Sequence, residues 1–90
     1  MKVYVLVCEA RYDGGQEDAV IHTYATIERA RKELKQAISE ELAQGTYFGD
    51  MYAERRGDLE ITENENSWII YEKDWGDYAS YRIIEQEVIE

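Results

Sequence analysis

The 90-residue chain has no proline, one cysteine, one histidine, and ten basic side chains against twenty acidic ones. Each shortage excludes something. Without proline there are no polyproline spacers, and the chain reads as one compact unit, 1–90, with no linker. Cys8 has no partner for an intramolecular disulfide, and Cys8 with His22 falls short of the three or four Cys/His ligands a zinc centre takes. No apolar run approaches the roughly 18–20 residues that span a bilayer, so no membrane partner is expected. The first residues lack the basic region, apolar run and cleavage site of a secretory signal, and a cytoplasmic setting is the expectation. A formal charge of −10 repels phosphate, which argues against direct nucleic-acid binding.

Motifs for chemistry are equally scarce. Asp13-Gly14-Gly15 matches neither phosphate-loop pattern, and Glu17 and Asp18 beside it would repel a phosphate. The run from Asp58 to Glu65 lacks the spacing and glycine of a calcium loop. No metal site, cofactor or catalytic residue is therefore expected. Cys8 sits in an apolar strand with no adjacent base to lower its pKa and reads as a small core residue. His22 reads as structural. The alternative is a small enzyme or ligand-binding domain that uses Cys8, His22 and an acid in a cleft between residues 46–66 and the sheet.

What the chain does have is 44% hydrophobic residues, including eight Tyr, two Trp and one Phe, enough for a single modest core. Lys2 to Tyr12 is β-branched and aromatic without helical period and predicts a strand; Ala19 to Ala25 predicts its hairpin partner across an acidic loop. From Thr26 the period changes. Ile27, Ala30, Leu34, Ile38 and Leu42 recur at three and four, predicting an amphipathic helix capped by Thr26, stopped by Gly45 and keeping its charged side in water. Residues 46–66 read as a long connection with a short aromatic turn or half-helix and a short strand near Leu59 to Thr62. Ser67 to Lys73 and Ala79 to Ile89 predict a second hairpin.

The predicted class is α+β, arranged β-β-α-β-β, with one helix across one face of a four-stranded antiparallel sheet. Alternation leaves that sheet apolar on both sides: Val3, Val5 and Val7 oppose Leu6 and Cys8, while Ile69 and Tyr71 oppose Trp68 and Ile70. One helix covers one face, so the second must meet the 46–66 connection, a second subunit or a ligand; a homodimer is the expectation.

The charge is uneven. Residues 1–45 hold eight acids and six bases, residues 46–90 twelve and four. The acids gather at Asp58, Glu60, Glu63 and Glu65, and again at Asp74 and Asp77 around Trp75. These seven residues are the predicted partner-binding set, with a basic protein surface as the partner.

Met1-Lys-Val-Tyr-Val-Leu-Val, Tyr24-Ala-Thr-Ile-Glu-Arg-Ala30, Ile70-Tyr-Glu-Lys-Asp-Trp-Gly-Asp-Tyr78 and Ile83-Ile-Glu-Gln-Glu-Val88 together resemble a loose group of small acidic proteins of unknown function. That group is carried by phages and mobile elements of Gram-positive bacteria. The resemblance implies a non-enzymatic accessory protein, such as an inhibitor of a basic, nucleic-acid-handling host protein. The predicted helix, with four acids and four bases, departs from the acid-lined helices of inhibitors that imitate DNA.

Overall fold

In the computed structural model, which describes residues 1–89, five strands form one antiparallel sheet in the order β2-β1-β5-β4-β3. The strands are β1 (Lys2–Arg11), β2 (Asp18–Tyr24), β3 (Leu59–Asn64), β4 (Ser67–Glu72) and β5 (Tyr78–Glu87). Two helices, α1 (Ile27–Glu41) and α2 (Tyr47–Glu54), complete the fold, with a short 3-10 turn at Arg56–Asp58. The α+β class holds. The architecture corrects the predicted four-stranded sheet and single helix: the short strand expected near Leu59 to Thr62 joins the sheet as β3, and the 46–66 segment also forms a second helix. The long first and last strands pair at the centre, from Lys2 opposite Glu87 to Arg11 opposite Tyr78.

Register sorts the two faces. Leu6, Cys8, Tyr81, Trp68, Ile70 and Leu59 share one side, and against it pack Leu34 of α1 and Phe48 and Met51 of α2. Both helices therefore lie on the same face. The connection expected as a possible cover for the other face instead enlarges the first layer.

α1 starts where its cap predicts: the Thr26 hydroxyl accepts from the Arg29 N–H at 3.2 Å. Ala30 and Leu34 are buried, and Ile27, Ile38 and Leu42 are half-buried. The helix ends at Glu41 with Leu42 as its cap, so Gly45, at φ 88°, shapes the bend into α2 rather than stopping α1. That bend is tight. Thr46 caps α2 by accepting from the Gly49 N–H at 3.0 Å, and Gly49 lies so close to the Ala43 carbonyl that a Cβ there would sit 1.9 Å from its oxygen. Leu34→Ala should cost about 2–5 kcal/mol, read from the midpoint of urea unfolding, because it empties volume between α1 and the sheet.

Candidate functional site

Three acids are buried: Glu41, from a helix expected to keep its charges in water, Glu72, and Asp77, expected at a partner surface. Glu41 extends the α1 stripe, seven residues beyond Leu34, and is 8% exposed. Its Oε1 accepts from the Tyr12 hydroxyl at 2.6 Å and also from the Tyr81 hydroxyl. Burial, and then the bond and negative charge of Glu41, push both phenols well above their ordinary pKa. Glu72 follows Trp68 and Ile70 on the inward side of β4 and binds its own hairpin turn, accepting from the Asp74 and Trp75 N–H groups at 2.9 and 2.6 Å.

Asp77 ties two loops together. The first is a turn with Asp13 and Gly14 at φ 51° and 69°, the positive pair a type I′ turn requires, closed from the Gly15 N–H to the Tyr12 carbonyl at 2.9 Å. The Gly14 N–H then donates to Asp77 Oδ1 at 2.9 Å and the Tyr47 hydroxyl to Oδ2 at 2.6 Å. Burial alone would raise the Asp77 pKa; these donors and the Arg11 charge outweigh it and leave the carboxyl below its ordinary value. Burial and the bond to Asp77 push Tyr47 up to about 12. At 1% exposure and with its oxygens engaged, Asp77 cannot meet a partner, which corrects its place in the predicted binding set.

The other predicted residues are at the surface but not in one patch. Asp58, Asp74 and Trp75 lie at the end of the β3–β4 hairpin where the 72–77 turn sits, and Glu65 lies at the other end, paired with Arg31 at 3.0 Å. Glu60 faces the uncovered side of the sheet by register and Glu63 the helical side. Trp75 is 76% exposed. It projects because Glu72 fastens the backbone beneath it and Gly76, at φ 78°, turns the chain.

Two clefts flank the core. One of about 450 Å³ lies between α1 and the β1–β2 edge and brings together Cys8, His22 and Glu41. Burial, and then the Glu41 charge, raise the Cys8 pKa, the opposite of what a nucleophilic thiolate needs. The second, about 540 Å³, lies between α2 and the two loops and is lined by Arg11, Tyr47, Met51, Arg55 and Trp75. It is the cleft between the 46–66 segment and the sheet, and it holds neither Cys8 nor His22. Among the described residues no group of three His, Cys, Asp or Glu side chains is placed to hold a metal ion, and no helix is long and apolar enough to cross a membrane.

Fold and site together define a two-layer α+β domain with a five-stranded antiparallel sheet, two helices on one face and the other face uncovered. Comparison with family models, with curated proteins and with solved structures finds no match.

Proposed function

We propose that the chain is a non-enzymatic cytoplasmic binding module whose acidic β3 edge engages a basic protein, in keeping with an accessory role. One observation carries this reading. β3 is an outer strand with one backbone edge unpaired, and it presents Glu60 and Glu63 exposed, with no cation in ion-pair range of either among the described residues. An extended basic segment can add to such an edge through main-chain hydrogen bonds while its side chains meet the acids. In titrations with a short oligolysine, binding should weaken as the Debye length contracts from about 10 Å at 0.1 M salt to about 3 Å at 1 M. Glu60→Lys with Glu63→Lys should weaken it about tenfold. The same charge change at Glu17 and Asp18, where the chain enters the opposite edge strand, should matter less. Equal loss from both pairs would show only bulk attraction and reject the edge.

A second reading concerns the uncovered face, and a specific observation favours it. Val5, Val7, Ile21, Ile69, Tyr71 and Ile84 point to this side. Ile21 is 64% exposed. By register the charged residues there are Glu9, Glu60 and Arg82, with Arg82 and Glu9 paired at 3.0 Å, while Arg11, at the strand end, reaches to Asp77 and the α2 cleft instead. In a chain of charge −10, an apolar face with one acid outside an ion pair suits a second copy, because two such faces meet with little like-charge repulsion. Five strands about 4.8 Å apart and about 25 Å long offer roughly 600 Å² before side-chain relief is counted, near the roughly 800 Å² per partner of a standard interface. Sedimentation should give a dimer at tens of micromolar, and Ile84→Glu should return it to the 10.6 kDa monomer. A wild-type monomer at those concentrations rejects this reading.

A further inference from the structure

We propose that the cleft between α1 and the β1–β2 edge binds an alkylammonium group, the chemistry shared by a free polyamine and a lysine side chain. The site lies at the β2 side of the sheet, across from the β3 edge, and does not rest on the reading given for that edge.

The argument begins with Glu41. Both phenols donate to its Oε1, whereas among the described residues Oε2 accepts no hydrogen bond. Oε2 is also not sealed in: among the described residues the only fully enclosed side-chain polar atom without a partner is Arg11 Nε. Glu41 lines the cleft, and Oε2 is among its atoms that are not fully enclosed. No ion pair reaches this carboxylate among the described residues. A charge withdrawn from water and held only by neutral donors is unfavourably placed. An ammonium entering the cleft supplies both the counter-charge and the missing donor.

The rest of the cleft fits the same group. No lysine or arginine lines it, so no side chain of the protein occupies the cation's place. Glu40, exposed on the rim, adds a second acid, while Glu33 is shared with Arg29 at 3.0 Å. Leu6, Val20 and Ala37 offer apolar wall for a methylene stem, and Tyr24 adds an aromatic ring to the lining. A volume of about 450 Å³ lies within the usual range for small-molecule sites.

The test is a two-dimensional amide NMR titration of the full chain with spermidine, with Nα-acetyl-lysine methylamide and with 1-butylamine, using 1-butanol as the uncharged counterpart. All three amines should give saturable shifts centred on Cys8, His22 and Ala37, and butanol none. Glu41→Gln keeps an Oε1 for the two phenols and should weaken amine binding at least about tenfold. Glu40→Gln, exposed and outside the phenol network, should weaken it about two- to threefold and keeps the proposal testable if the Glu41 variant does not fold. Tighter binding of spermidine assigns the site to free polyamines, and tighter binding of the lysine derivative assigns it to a partner's lysine; either supports the site. Unsaturable shifts, shifts centred on β3, an equal response to butanol, or unchanged affinity in Glu40→Gln overturns it.

Discussion

Phe48→Ala should remove about 3–5 kcal/mol of stability, a large share of the roughly 5–13 kcal/mol expected for a domain of this length. Phe48 is fully buried, and its ring meets Tyr47 edge-on at 4.9 Å between centroids and Tyr12 at 5.8 Å. It is the main anchor of α2, a helix of eight residues that has too few turns to persist by itself. Losing the ring therefore empties a cavity and frees the helix together. Urea unfolding followed by far-ultraviolet circular dichroism measures the change, and a loss below about 1 kcal/mol would show that α2 is held by something else.

Asp77→Ala should cost on the order of 3–5 kcal/mol at pH 7, since it strips two hydrogen-bond donors of a charged acceptor, worth about 1.5–3 kcal/mol each, and detaches the 12–15 turn from the 72–77 turn. This loss carries a pH signature. The folded carboxyl titrates below its ordinary value of 3.8, so the folded state binds fewer protons than the unfolded chain in that window. The stability owed to its charge is complete above about pH 4 and drains as the pH falls through the lower, folded-state value. The gap between wild type and Asp77→Ala should accordingly narrow from pH 5 to pH 2.5 in denaturant titrations. A gap constant over that range would mean that Asp77 acts only by its shape.

Period and turn chemistry, both local properties, carried much of the fold. β1, β2, β4 and β5 lie within one or two residues of their predicted bounds, and Thr26 marks the start of α1 because capping needs only neighbouring atoms. α2 was legible only as a short aromatic turn or half-helix. Its helix depends on the Thr46 cap, on the absence of a side chain at Gly49 against the Ala43 carbonyl, and on burial of Phe48 and Met51, and two of those three are tertiary. The buried acids left a signal that charge obscured. Glu41 continues the period of Ala30 and Leu34, and Glu72 the alternation of Trp68 and Ile70, so the geometry placed both inward. What periodicity could not supply was the partner that makes such burial tolerable: two phenols for Glu41, drawn from the 12–15 turn and from β5, and the turn amides for Glu72.

The sequence by itself determined the α+β class, the single amphipathic stripe of α1, a sheet apolar on both sides and a strongly acidic second half, because composition and period act within a few residues. Only the tertiary structure decided that the first and last strands pair at the centre of the sheet, and that both helices fall on one face and leave the other bare. It also decided that Asp77 is internal, Trp75 external, and that Glu41 is buried at the wall of a cleft. Strand order, register and the burial of a charge depend on contacts between segments tens of residues apart, and those contacts have no spacing in the chain from which they could be read.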